Sequence, residues 1–153
     1  MKKVIALLIF STSLSAQTEV GNFKIIDEEI IWQKAYEEDL QIQSQDIELR
    51  ALGLPKMTTT FWLSDISGAK MKVQKKEGRT RITISDIYSI SSIKIDLGSV
   101  EQNVKPMYAT SVYYNRKKGV FKKLFIKKDN KLINDIIEKS IDKLLPNEEQ
   151  DDW

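Results

Sequence analysis

The chain has 153 residues, with 24 basic and 22 acidic side chains and neither histidine nor cysteine. Without those two residue types the usual zinc sites, Ser-His-Asp triads, Cys-His pairs and disulfides cannot form. The net charge of +2 identifies no partner, and the six glycines include no Walker-type or GxGxxG loop. We therefore predict no cofactor and no metal.

Residues 1–16 have the pattern of a secretory signal peptide. Lys2 and Lys3 precede the apolar run Val4–Phe10, and small residues continue to Ala16. Cleavage after Ala16 is favoured, and cleavage after Ser15 is the alternative. The apolar run is too short to span a bilayer, and no cysteine is present to carry a lipid anchor. We expect an exported protein, periplasmic or extracellular, not lipid-anchored and without a transmembrane segment in the mature chain.

The remaining chain has the size of one domain. We predict a single domain over residues 17–146, followed by an acidic tail over 147–153, "NEEQDDW". The absence of disulfides in an exported chain favours a bacterial envelope or medium.

Two β-rich runs, "FKII" and "IIWQKAY", predict a hairpin around Asp27–Glu29. Alternation along the second run places Trp32 and Tyr36 on one face, towards the core. Six carboxylates flank this hairpin, at Asp27–Glu29 and Glu37–Asp39. Turn and strand-end positions favour solvated carboxylates over a metal or catalytic cluster.

An early helix is predicted next. Ser44 is placed to cap a helix over Gln45–Leu52, with Gly53 as its stop and Pro55 behind it.

Three further runs, Thr58–Ile66, Ala69–Lys75 and Arg79–Ile90, predict an antiparallel meander. Alternation predicts one buried face and one basic face, with Lys70 and Lys72 opposite Arg79 and Arg81. Like charges opposite one another repel, so an anionic group over them would be stabilising. These four residues are the predicted ligand-binding residues.

The last element predicted is a long amphipathic helix that begins at a capping Asp129 and ends at Pro146. Its apolar stripe comprises Leu132, Ile133, Ile136, Ile137, Ile141, Leu144 and Leu145. Between the meander and this helix we expect one more strand, near Ile93 or Met107. The predicted fold class is α+β: a single antiparallel β-sheet with a short N-terminal helix and the long C-terminal helix packed on one face.

Eight basic residues lie between Asn115 and Lys131. They are Arg116, Lys117, Lys118, Lys122, Lys123, Lys127, Lys128 and Lys131, and the aromatic residues among or beside them are Tyr113, Tyr114, Phe121 and Phe125. This composition is typical of surfaces that bind anionic polymers or headgroups. A solvated lysine-rich face is the favoured interpretation.

Two SxxK strings, Ser140–Lys143 and Ser91–Lys94, have the spacing of serine acyl-enzymes. Neither is accompanied by a Lys-Thr-Gly partner, and Ser140 falls on the apolar stripe as a small packing residue. Hydrolysis by carboxylates would have to use Asp65, Asp86 or Asp96. A small hydrolase of either kind is the alternative function.

The stretches "FKIIDEEIIWQKAYE", "AKMKVQKKEGRTRITISDI" and "FKKLFIKK" and the closing "DDW" resemble small secreted, uncharacterised proteins of Bacteroidetes-type bacteria. Those proteins are related to a domain of unknown function with a TATA-binding-protein-like fold. The resemblance implies an α+β fold and export, and it carries no catalytic residues.

The leading hypothesis is a non-catalytic binding or envelope-associated module with a basic sheet face. Its expected partner is an anionic envelope component or a partner protein, and no nucleic acid is expected. The sequence leaves the oligomeric state open.

Overall fold

The computed structural model describes residues 18–50, 61–90 and 105–146. The predicted signal peptide and acidic tail, Asp96, Ile93 and the Ser91–Lys94 string lie outside these ranges. The chain is α+β, with a mostly antiparallel sheet and a C-terminal helix, as predicted.

Within these ranges, seven strands form the main sheet, and every pairing is antiparallel. They are β1 (Glu19–Val20), β2 (Phe23–Ile26), β3 (Glu29–Tyr36), β4 (Gln45–Glu48), β5 (Ile66–Lys76), β6 (Arg79–Ser89) and β7 (Met107–Tyr108). The order across the sheet is β1-β2-β3-β6-β5-β4, and β7 pairs with the end of β6. The strand predicted near Met107 is therefore confirmed.

The other elements connect and cover this sheet. They are α1 (Phe61–Ser64), α2 (Ala109–Tyr113), β8 (Tyr114–Asn115), β9 (Val120–Phe121), a π-helical turn (Phe125–Asp129) and α3 (Asn130–Leu144). Strands β8 and β9 form a second, two-stranded sheet, so the prediction of a single sheet is wrong. The small sheet is built around Tyr114 and Phe121, which are both buried.

The β2–β3 hairpin is confirmed. Ile26 pairs with Glu29, and the two residues between them, Asp27 and Glu28, have positive φ angles of 51° and 63°. Positive φ at both central residues matches the right-handed twist of the strands. Trp32 is wholly buried at the centre of β3, as its place in the alternation predicts.

The predicted helix over Gln45–Leu52 is wrong for residues 45–48, which form β4 instead. Ile47 is buried whereas Asp46 and Glu48 are exposed, which is the period of a strand. The free side of β5 supplies ladder hydrogen bonds that a short isolated helix would lack. Ser44 caps no helix: its hydroxyl oxygen accepts the Val73 N–H at 2.8 Å.

The two faces of the β5–β6 hairpin segregate as predicted. Ala69 and Met71 on β5, and Ile82 and Ile84 on β6, are buried in the core. The intervening residues on both strands are exposed or half-buried. One face of the sheet therefore belongs to the core and the other carries its polar side chains.

Helix α3 covers the core face. Ile133, Ile137 and Ile141 are almost fully buried, whereas Leu144, at 38% exposure, departs from the predicted stripe. The indole N–H of Trp32 donates to the Asn134 side-chain oxygen at 2.8 Å, which joins the centre of β3 to the helix.

The predicted cap at Asp129 is also wrong. Its backbone is helical and its side chain makes no capping bond, because the π-helical turn continues the helix upstream. The carboxylate is wholly buried, and the Tyr113 hydroxyl donates to its Oδ2 at 2.7 Å. A buried tyrosine hydroxyl needs a hydrogen-bond partner, and Asp129 supplies it. The Asp129 carboxylate therefore binds Tyr113 and does not cap the helix. Asn130 donates instead to the carbonyls of the turn.

Removing the oxygen that accepts the Trp32 indole N–H tests how much this hydrogen bond between β3 and α3 contributes to stability. We expect Asn134→Ala to lower the free energy of unfolding by about 1–3 kcal/mol, since a buried N–H would lose its partner. In a Trp32→Phe background, Asn134→Ala should lower the free energy of unfolding by a smaller amount, because phenylalanine has no N–H to lose its acceptor. Urea unfolding of the four proteins gives the coupling energy. An equal change in the free energy of unfolding in both backgrounds would show that the indole–Asn134 hydrogen bond does not contribute to stability.

A second contact between β3 and α3 predicts a pH dependence. Lys34 donates to Glu138 at 2.8 Å, and this hydrogen bond raises the pKa of Lys34 above its usual 10.5, although burial opposes the shift. A raised lysine pKa stabilises the fold below the unfolded pKa, and the contribution is lost as pH rises through the folded value.

Glu138→Gln should therefore lower the free energy of unfolding by a few tenths of a kcal/mol near neutral pH, since both side chains are about one third exposed and solvent screens them. The difference from the wild type should shrink above pH 10.5, the ordinary lysine value. Urea unfolding at neutral pH and at several pH values above this point would measure it. A difference that grows with pH would refute the assignment.

Candidate binding face

We call Lys70, Lys72, Lys76, Arg79 and Arg81 the basic sheet face. All five residues are exposed on β5 and β6. They alternate with core residues such as Met71 and Ile82, so their side chains leave the sheet on the side away from α3. The four residues predicted from the sequence thus share one face, and Lys76 joins them.

The pairing register differs from the predicted one. Lys70 lies opposite Ser85 and Lys72 opposite Thr83, so neither faces an arginine directly. The like charges that do face each other are Lys76 and Arg79, at the end of the hairpin. The register is set by the two-residue turn between those two residues, and alternation alone does not determine it.

Acidic neighbours neutralise part of this face. Lys70 lies 3.5 Å from Asp86, and Arg79 lies 3.9 Å from Glu37 and 3.8 Å from Glu77. Within residues 18–50, 61–90 and 105–146, Lys72, Lys76 and Arg81 form no ion pair. These three cations are therefore the most available for an anionic ligand.

A shallow groove of about 420 Å³ lies at the hairpin end of the face. Arg79, Arg81 and Lys76 line it together with Gln74 and Ala35. Ala35 pairs directly with Arg81, so the small alanine side chain leaves space beside the guanidinium. The groove brings together two of the four predicted residues, and Lys70 and Lys72 lie outside it.

Lys72 belongs to a polar row that crosses the sheet. It pairs with Thr83, whose hydroxyl accepts the Gln33 amide at 3.1 Å. Sequence reasoning missed Lys76 and Gln33 as parts of this surface. The alternation along each strand could have identified both, since Lys76 lies in phase with Lys72 and Gln33 lies on the side of β3 opposite Trp32.

The basic segment between Arg116 and Lys131 is less suited to stacking than its composition indicates. All eight of its basic residues are exposed, but Tyr113, Tyr114, Phe121 and Phe125 are buried in the core. Phe125 stacks on Phe121, with ring centroids 4.7 Å apart. The aromatic rings support the fold and are not presented to a ligand.

The residues of the alternative hydrolase fall in two places, and Ser140 and Lys143 line one groove together. Ser140 is half-buried and its hydroxyl donates to the Ile136 carbonyl at 2.7 Å, and Lys143 is exposed one turn further on. Asp86 lines a cleft of about 320 Å³ with the Asp27–Glu29 turn and Arg116, and Asp65 is not part of that lining.

The carboxylates of the β2–β3 hairpin are exposed, as expected for a turn and a strand end. Asp39 pairs with Lys75 at 2.6 Å. In the part of the chain that the structure describes, no three acidic residues are grouped so that they could hold a metal ion.

None of the described helices is long and apolar enough to cross a bilayer.

Comparison with family models, curated proteins and solved structures found no match to this chain.

Proposed function

We propose that the mature protein is an exported, periplasmic or secreted, non-catalytic binding module, and that its basic sheet face receives the anionic groups of an envelope component or partner protein. The observation that carries the proposal is the exposure of Lys72 and Arg81 on one sheet face without an acidic partner among the described residues. The signal-like N-terminus and the resemblance to secreted bacterial proteins support export.

The chemistry of the two cations suits this role. The guanidinium of Arg81 has a planar donor fork that binds phosphate, sulfate or carboxylate with two hydrogen bonds. Lys72 adds a mobile point charge on the neighbouring strand, beside the hydroxyl of Thr83. The surrounding residues Gln33, Gln74 and Thr83 offer further polar atoms for the same anion.

The packing supports two finer parts of the proposal. Burial of Ile133, Ile137 and Ile141 beside exposed Lys139 supports an amphipathic α3 that closes only the core face. Burial of the aromatic rings near the basic segment supports the expectation that nucleic acid is not the ligand, because stacking on bases needs exposed rings.

Charge reversal on the face tests the proposal. Lys72→Glu with Arg81→Glu should weaken binding to dextran sulfate and to phosphatidylglycerol vesicles by about tenfold or more at low salt, because two contacts become repulsive. The matched control is Lys117→Glu with Lys123→Glu, which makes the same change in net charge on the basic segment. Binding would be measured by fluorescence anisotropy and by vesicle sedimentation at low and physiological salt.

The control pair should change binding by less than about threefold at physiological salt, since it leaves Lys72 and Arg81 in place and salt screens exposed charges that do not touch the ligand. If Lys72→Glu with Arg81→Glu weakens binding to dextran sulfate alone, the ligand is an anionic polymer. If it weakens binding to the vesicles alone, the ligand is a lipid headgroup. Equal weakening by both pairs would show that net charge alone drives binding, and would overturn the proposal.

A further inference from the structure

Strand β4 lies at one end of the sheet, and no main-chain group of the described residues pairs with its outer edge. The Leu49 N–H donates to the Ser67 carbonyl at 3.0 Å, towards β5. Main-chain groups alternate in direction along a strand, so those of Ile47 also face β5, and those of Asp46 and Glu48 point outward. Among the described strands only β5 pairs with β4. An edge of this kind is a template for another strand.

A groove runs beside this edge. It lies between β4 and the C-terminal half of α3 and has a volume of about 590 Å³. Ile47 lines it from the strand, and Ile136, Ser140 and Leu144 line it from the helix beside the charged residues Asp135, Lys139, Asp142 and Lys143. Ser140 is small and its hydroxyl is already bonded to the Ile136 carbonyl, so the helix surface is recessed at that point, with apolar side chains next to charged ones.

The edge and the groove together define the ligand. Outward N–H and C=O groups spaced two residues apart match the main chain of an extended peptide. We propose that β4 and α3 bind an extended segment of another protein, which adds a strand to β4 and places every second side chain in the groove. This surface adjoins the basic sheet face at Lys70, which lies opposite Asp46, but it includes neither Lys72 nor Arg81.

The charges on β4 indicate which residue types the bound segment should have. Asp46 and Glu48 are exposed and project from the face opposite Ile47. Arg50 pairs with Glu48 at 3.2 Å, so it is above all the partner residue beside Asp46 that gains from being basic. Partner residues that face Ile47 and Leu144 gain from being apolar. The expected ligand alternates basic and apolar residues.

The same charges disfavour a second copy of this chain as the occupant. Antiparallel pairing of two β4 strands about Ile47 would place Asp46 opposite Glu48 of the other copy, twice. Like charges directly opposite one another destabilise a strand pair. A shift of register that aligned Asp46 with itself would leave the repulsion in place.

The test uses a capped peptide of alternating lysine and valine, with a peptide of the same composition but grouped lysines as its control. Amide NMR of the full chain should show perturbations at Asp46, Ile47 and Glu48 and along the groove side of α3. The alternating peptide should bind about tenfold more tightly than the grouped one, because only it satisfies both faces of the added strand.

Asp46→Pro removes an outward N–H while leaving the hydrogen bonds to β5, since proline is tolerated on the free side of an edge strand. It should weaken binding by about tenfold or more. Asp46→Asn keeps the N–H and removes only the charge, so it should weaken binding by about threefold or less at physiological salt. Lys72→Glu with Arg81→Glu should leave peptide binding unchanged, which separates this proposal from the function of the basic face.

If Asp46→Pro fails to fold, as circular dichroism would show, a backbone N-methylated peptide tests the same bonds on the wild-type protein and should not bind. Peptide binding that survives both the proline and the N-methyl groups would overturn the proposal. So would perturbations confined to the basic sheet face. Self-association in analytical ultracentrifugation that Asp46→Pro abolishes would overturn it in favour of a second copy.

Discussion

The bond between the Trp32 indole and Asn134 fixes the position of α3 on the core face of the sheet. It joins the centre of β3 to the middle of α3, and the Asn22 amide donates to the same oxygen at 3.0 Å. The indole is wholly buried, so an unmet N–H would cost about 1–3 kcal/mol, which is large beside the net stability of a small domain. With the helix held there, the opposite face retains the polar residues of β5 and β6.

Segregation of the two faces explains why the fold tolerates so many cations. Repulsion between exposed like charges amounts to tenths of a kcal/mol in water, whereas burial of each core aliphatic contributes about 1.5–3 kcal/mol. The core residues Met71, Ile82 and Ile84 therefore determine the packing, and Lys72 and Arg81 are carried on the other side of the same strands. Exposed cations at such positions therefore contribute little to the free energy of folding.

Local pattern predicted the elements whose period is unambiguous. The alternation in β5 and β6 matched the face that the structure buries, the alternation in β3 placed Trp32 in the core, and a C-terminal helix was predicted where the structure has α3. Non-local contacts decided the rest. Residues 45–48 pair with β5, the π-helical turn and Tyr113 engage Asp129, and the rings near the basic segment turn into the core. The register of Lys70 and Lys72 against β6 followed from the two-residue turn, which alternation does not reveal.

Neighbouring residues on opposite faces allow the most direct measurement. Met71 is 3% exposed, and the adjacent Lys72 is fully on the exposed side, whereas Met107 at 55% exposure is an internal reference for oxidation. Native-state oxidation and lysine acetylation, read by peptide mass spectrometry, should modify Met107 and Lys72 rapidly and leave Met71 protected until the protein unfolds. Oxidation of Met71 as fast as Met107, or protection of Lys72, would contradict the closed core face and the open basic face.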